Sequence, residues 1–336
     1  MLRVAPLMAD DVLPQLPEVL PGVPDNLVVG PKLFPRRGTT YMKGQRTCIE
    51  LCSGCGGMSL GLKEAGFDHL LLIERDRHCI DTLNANGWRN VLEADVATVD
   101  FKPYKGRVDL VAGGVPCQPF SIGGVDGGQR DRRNLFEHAV RCVSECRPKA
   151  FLFENVAGLV RPKFAAYLDS VVGRLQALGY SVQAHVVDAS HYGVAQRRRR
   201  CLLIGSLATF TPPPPTTPQP PTVRQMMSEL GSPDGRNRHA VRVHAARAYK
   251  NHQPSQLDQP SKTVLAGTNG PGGGTNCVEL DDGTVRYFTV RELARLQGFP
   301  DEYVLPDVWT HAVKEIGNAA PPPLIHAFAA QLLRQM

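Results

Sequence analysis

Beyond residue 46 the apolar positions fall into short runs separated by polar turns. Runs over 47–52, 70–73, 90–92, 108–112, 149–153, 181–188 and 201–205 predict strands, and 181–188 (SVQAHVVD) alternates as a half-buried strand does. The segments 58–65, 79–86, 133–146 and 164–178 predict helices, with Gly66 and Gly179 as stops and Asn134 as a cap. Strand and helix alternate throughout, which predicts an α/β fold: a doubly wound, mostly parallel sheet with sites at the carboxyl ends of its strands.

The pattern breaks after Gly205. Residues 211–221 (TPPPPTTPQPP) form an extended, stiff connector. From 222 to 286 periodicity is weak, basic residues recur (Arg224, Arg236, Arg238, Arg242, Arg247, Lys250), and 267–276 is a glycine-rich loop. This predicts a small, loop-rich second domain. Helices resume at 289–300, where Thr289 and Glu292 have capping-box spacing and Gly298 and Pro300 end the run. Further helices are predicted at 308–316 and at 324–335, the last opened by prolines. Before residue 47, prolines from Pro6 to Pro35 oppose regular structure. That extension ends in Arg36, Arg37, Lys43 and Arg46, and both a partly ordered arm and a DNA-contacting arm remain open.

Composition narrows the class. A hydrophobic content of 42% over 336 residues supports an ordinary globular core. No run approaches the roughly 18 apolar residues of a membrane span, and the start does not read as a secretory signal. A soluble, cytoplasmic protein is expected. Nine cysteines, an odd number, do not suggest a disulfide framework. Cys52 and Cys55 form a C-x-x-C without a second such pair, so no metal site is expected. The net charge of +6 permits a polyanionic partner without requiring one.

Four stretches carry candidate chemistry. In VDLVAGGVPCQPFS (108–121) a strand ends at Gly113 and Gly114, and Cys117 follows in a Gly/Pro-shaped turn. A nucleophile and a buried thiol both remain open. In ELCSGCGG (50–57) a glycine turn joins a strand to a helix; Glu74 and Asp95 end the next two strands. Such a turn with two acidic strand ends suits a nucleoside cofactor, and the absence of G-x-G-x-x-G spacing disfavours a dinucleotide. Glu154 ends the strand predicted beside that of Cys117, as a protonated donor to substrate or as an ordinary surface acid. In QRRRR (196–200) an extended chain puts Gln196, Arg198 and Arg200 on one face and Arg197 and Arg199 on the other. A solvated charge run and a ligand-facing strand remain open. The Gly/Arg-rich loop 121–133 after Cys117 can move and touch phosphates.

Together these stretches resemble the DNA (cytosine-5) methyltransferase family, of bacterial or phage restriction–modification type. ELCSGCGG, IERD, Asp95, GGVPCQPFS, ENV (154–156), QRRRR, RELARLQGFP and IGNAAPPPL occur in the family's order. The resemblance implies the S-adenosylmethionine-dependent methyltransferase fold, with S-adenosylmethionine as donor, cytosine C5 in double-stranded DNA as acceptor, and no metal. It implies Cys117, Glu154, Arg198 and Arg200 as the catalytic set. Cys52, Ser53, Gly54, Gly56, Gly57, Glu74, Arg75, Asp95, Val96, Pro116, Asn318 and Ala319 would hold the cofactor. Gln118, Ser121, Gly123, Arg130, Arg132, Arg133 and Gln196 would contact DNA. Cys52 stands where the family often carries an aromatic, and Arg75 where it often carries an apolar or aromatic residue.

The resemblance also implies a discontinuous catalytic domain (47–206 plus 289–336), an inserted target-recognition domain (207–288) and an N-terminal extension (1–46). A monomer is expected, with a cognate restriction endonuclease as a separate partner and no membrane association. An RNA (tRNA) cytosine-5 methyltransferase, a non-catalytic DNA-binding protein on this scaffold, and a nicotinamide oxidoreductase using Cys52 and Cys55 are the alternatives.

Overall fold

The computed structural model describes residues 46–115, 135–228, 230–241, 253–267 and 276–336. The extension, the Cys117 stretch with its following loop, and parts of the 207–288 segment lie outside the described residues.

Seven strands form the main sheet: β1 (Arg46–Leu51), β2 (Phe67–Glu74), β3 (Val91–Glu93), β4 (Leu110–Gly113), β5 (Ala150–Val156), β6 (Ser181–Asp188) and β7 (Arg199–Ser206). Their order is β3-β2-β1-β4-β5-β7-β6, and only β7 runs against the rest. The order reverses between β1 and β4, so a crevice opens beyond their carboxyl ends. The loop 52–56 and residues 114–115 both emerge there.

Helices cover both faces. On one, α3 (Phe136–Cys146) and α4 (Ala165–Ala177) pack on Ile49, Val111, Phe151, Phe153 and Leu203. On the other, α1 (Gly57–Glu64) and α8 (Pro322–Gln335) pack on Cys48, Leu110, Leu152 and Ile204. α8 thus closes on the sheet begun by β1. A side chain at Gly61 would collide with Pro322 and Ile325, so a glycine permits the approach of α1 to α8.

A third cluster joins the remaining elements. α6 (Val290–Gln297) and α7 (Trp309–Asn318) pack with Val223, Val264 and Val278. Beside them lie α5 (Val223–Ser228) and a small sheet of β8 (Ser255–Gln256), β9 (Cys277–Glu279) and β10 (Val285–Tyr287). α2 (Arg77–Ala85) follows β2 and faces α7 through a Thr82–Glu315 hydrogen bond of 2.8 Å.

Several boundaries differ from expectation. β5 continues three residues past Phe153, because Glu154, Asn155 and Val156 pair with Leu202, Cys201 and Arg200 of β7. β7 starts at Arg199 rather than Cys201, because Arg200 pairs with Val156 of β5 and Arg199 with Asp188 of β6. α7 runs on to Asn318, since Gly317 keeps helical conformation. α5 and the small sheet were not anticipated; they are too short for periodicity to show.

Candidate active site

The first wall of the crevice is the β1–α1 loop. Cys52, Gly54 and Gly56 have φ of 55°, 55° and 91°, a left-handed sequence that turns the chain out of β1. A side chain at Gly56 would strike Tyr303 Oη and Leu83, and one at Gly57 would strike Ala320 O. Both glycines therefore let the loop close on neighbouring segments. Tyr303 Oη donates to Cys55 O at 2.5 Å and accepts from Trp88 Nε1 at 3.3 Å. Ser53 N donates to Ile73 O at 3.0 Å, tying the loop to β2.

Two carboxylates stand at the ends of β2 and β3. Glu74 is half-buried; its Oε2 accepts from Gly54 N at 2.8 Å, and its Oε1 from Arg75 N at 2.8 Å and Asp76 N at 2.9 Å. A carboxylate has about four lone-pair positions, so Oε2 keeps one acceptor position for a hydroxyl donor. Asp95 Oδ1 caps Ala97 N at 2.9 Å, while Oδ2 meets Arg75 at 3.4 Å in an exposed pair. Val96 is buried. Among the described residues no atom lies within 4 Å of a Cβ placed on Gly54. An open glycine beside the Glu74 carboxylate, with a free acceptor position on that carboxylate, fits a ribose hydroxyl of S-adenosylmethionine. Asn318 is exposed at the end of α7, and Ala319 packs against the position of Gly57.

The second wall is the β5–β7 ladder. Glu154 Oε1 and Arg200 Nε are 2.7 Å apart, and both side chains are largely buried. They are diagonal neighbours on one face of the sheet. A Cβ on Gly114 would lie 3.9 Å from Glu154 Oε2 and 3.9 Å from Cys52 O. The end of β4 therefore stands between the acid and the cofactor loop. Asn155 Nδ2 donates to Val115 O at 2.8 Å and pins the last described residue before Cys117. Cys117 itself, with Pro116, Gln118, Ser121, Gly123, Arg130, Arg132 and Arg133, lies outside the described residues.

Arg198, expected in the catalytic set as a support for Arg200, lies beneath the site. Its guanidinium is fully buried and donates to Gly317 O at 2.7 Å, Ala319 O at 3.0 Å, Val264 O at 3.1 Å and Gln196 Oε1 at 3.3 Å. Burial and the nearby Arg200 guanidinium push its pKa down. It joins β7, the 264 segment and the end of α7, and acts by positioning them. Gln196 is likewise inside rather than on a DNA-facing surface. It is fully buried, donating to Gln297 Oε1 at 2.7 Å and accepting from Val264 N at 2.9 Å. The alternation that puts Gln196 on the Arg198 face also puts it under α6.

Burial pushes the thiols of Cys52 and Cys55 up, with Glu74 and Glu315 respectively adding to the effect. Both are therefore poor thiolate formers, which disfavours C-x-x-C redox chemistry. Among the described residues, no cluster of three or more His, Cys, Asp or Glu could hold a metal ion, and no helix is long and apolar enough to cross a membrane. Sequence reasoning missed Asn155, Gln297 and Tyr303 as supports of the site. Asn155, as the residue following the acid in ENV, and Gln297, within RELARLQGFP, carried a signal; Tyr303 carried none.

Known proteins resemble this chain over nearly all of the described length. The family described as C-5 cytosine-specific DNA methylase matches residues 46–256 and 236–334. The type II methyltransferase M.NgoMIV of Neisseria gonorrhoeae is 37% identical over 309 residues, covering 87% of this chain and 98% of the relative. M.NaeI of Lentzea aerocolonigenes is 32% identical over 317 residues, covering 84% and 74% respectively. Among solved structures, the S. pombe Dnmt2 methyltransferase superimposes with a TM-score of 0.66 at 19% identity, over 86% of this chain and 98% of that one. At that identity the likeness concerns the fold.

Proposed function

We infer that this chain, which belongs to the C-5 cytosine-specific DNA methylase family, transfers a methyl group from S-adenosylmethionine to C5 of cytosine in duplex DNA. The observation that carries the mechanism is the buried Glu154–Arg200 pair at 2.7 Å. One edge of cytosine presents O2, N3 and the 4-amino group in succession. An acid and a guanidinium side by side serve that edge, with Arg200 on O2 and Glu154 on N3 and the amino group. Both contacts draw electron density from C6.

Cys117 follows Val115 by two residues, beyond the strand end that Gly114 places beside Glu154. Its thiolate adds to C6 and forms an S–C6 bond. The electron pair thereby delivered to C5 attacks the methyl group. Loss of the C5 proton to a base then restores the ring and expels Cys117. When bound, S-adenosylmethionine would supply the electrophilic methyl, its sulfur–methyl bond breaking with the electron pair going to sulfur as the C5–methyl bond forms, and S-adenosylhomocysteine leaving. Glu74 holds a ribose hydroxyl, Asp95 the adenine amino group, and Asn318 with Ala319 borders the methionine end.

Attack on C6 and C5 needs both faces of the base, so the cytosine leaves the stack at a cost of about a few kcal/mol. Residues 207–288 read the target sequence, as an insertion between the catalytic segments 47–206 and 289–336. The protein works as a cytoplasmic monomer of a restriction–modification pair, and the partner endonuclease acts separately. The test is methyl transfer from labelled S-adenosylmethionine to duplex DNA and to tRNA. Label in DNA as 5-methylcytosine is expected; label confined to tRNA, or none, overturns the reading.

A further inference from the structure

The run 196–200 divides its side chains between two faces. Gln196, Arg198 and Arg200 point inward and are used by α6, the end of α7 and Glu154. Arg197 and Arg199 point outward and are exposed. Among the described residues neither outward side chain has a hydrogen bond or ion pair. An acid, Asp188, lies opposite Arg199 in the β6–β7 register. Its Oδ1 already accepts from Ser190 N and Arg198 N, each at 3.1 Å. Among the described residues two guanidinium groups without a bonded acid thus lie within three residues of Arg200, on the outward face of a run whose inward residues are built into the site.

The backbone beneath them is fixed. Arg197 N donates to Ser261 O at 2.8 Å, and Arg197 O accepts from Thr263 Oγ1 at 2.6 Å. Arg198 O accepts from Ala189 N at 3.0 Å, and Arg199 begins β7. Because β7 is antiparallel, it begins at the sheet edge where the parallel strands end. Residues two apart in an extended chain are about 6.6 Å apart on the same side. That spacing suits successive phosphates of one nucleic-acid strand, and guanidinium is suited to bidentate phosphate contact.

We propose that Arg197 and Arg199 form a phosphate ridge that grips the DNA strand carrying the target cytosine, next to the pocket formed by Glu154 and Arg200. The proposal rests on duplex DNA being the substrate. The inward residues of the run then build the pocket, while the outward ones hold the backbone from which the base is turned out. The contact is sequence-independent, so it acts equally on target and non-target DNA.

The test is equilibrium binding of a random-sequence duplex across a salt series by wild type and by Arg197→Gln/Arg199→Gln. Losing two phosphate contacts makes the plot of log K against log[salt] shallower by about 1.8, so the affinity lost between about 50 and 200 mM salt shrinks by about twelvefold. S-adenosylmethionine affinity stays at the wild-type value, which reports an intact fold. The charge-preserving Arg197→Lys/Arg199→Lys protein keeps the wild-type slope, which a purely structural role for the guanidinium groups would not predict. An unchanged slope in the Gln protein, or an equal loss in the Lys protein, overturns the ridge. A wild-type protein that binds no duplex would instead defeat the substrate reading itself.

Discussion

Arg198 Nη2 donates to the carbonyl oxygen of Gly317 at 2.7 Å, a bond that spans 119 residues of sequence. It ties the strand carrying Arg200 to the end of the helix that presents Asn318. The start of β7 beside Arg200 and the end of α7 beside Asn318 therefore share one buried guanidinium.

Arg198→Ala is expected to lower stability by about 3 kcal/mol, since it leaves buried carbonyl oxygens without donors. It also weakens S-adenosylmethionine binding, because the end of α7 loses its anchor. Arg198→Lys restores this only in part, as an ammonium cannot reproduce the planar fork. Denaturant unfolding together with cofactor titration checks both. Normal stability and affinity in the Ala protein would return Arg198 to a role at the substrate.

Glu74→Ala removes the acceptor for Gly54 N, Arg75 N and Asp76 N together with the proposed ribose contact. Cofactor affinity should fall by about 10- to 100-fold, the range for a lost hydrogen bond to a charged group. Calorimetric titration measures it, and a change below about threefold would place the ribose elsewhere.

Gly57→Ala drives a methyl group into the backbone at Ala320 and against Ala319. Overpacking of this kind costs about 1–3 kcal/mol. Thermal unfolding should show the loss, with weakened cofactor binding because the 319–320 segment must move. Wild-type behaviour would mean that the approach of α1 to this segment is loose.

The buried Glu315 carboxyl gives a pH signature. Burial raises its pKa from 4.5 to about 7, opposed by the Thr82 hydroxyl at 2.8 Å. Below about pH 4.5 the group is protonated in both folded and unfolded chains and costs nothing. Between 4.5 and 7 the unfolded chain releases its proton first, so stability falls as pH rises. Above 7 the full penalty of about 3 kcal/mol is present. Glu315→Gln keeps a partner for Thr82 and removes the penalty. Its stability gain over wild type should therefore grow from pH 5 to pH 8, as followed by urea unfolding. A gain independent of pH would show that Glu315 does not titrate there.

The alternating sheet and its coverings were legible in the sequence because burial on both sides makes parallel strands read as apolar runs. The ends of β5 and β7 were not. Glu154, Asn155, Arg199 and Arg200 are polar, and antiparallel pairing keeps them in the ladder, Glu154 and Asn155 against β7, Arg200 against β5 and β6, and Arg199 against β6. The division of 196–200 into two faces follows from strand geometry alone. Which face is interior does not, because the partners of Arg198 are main-chain carbonyls from residues 264, 317 and 319. No local pattern marks a carbonyl as an acceptor for a distant arginine. α5 and β8 were invisible for a simpler reason: six and two residues hold too few periods to read.

The central claim is that Cys117 adds to C6 of a cytosine held by Glu154 and Arg200. Incubation with S-adenosylmethionine and duplex DNA carrying 5-fluorocytosine at the target tests it most directly, because fluorine at C5 cannot leave as a proton. The account predicts a protein–DNA adduct that survives denaturation, with the modified peptide at Cys117. It also predicts no adduct and no methyl transfer for Cys117→Ala, which still binds cofactor and DNA. An adduct at another residue, or substantial turnover by Cys117→Ala, would contradict it.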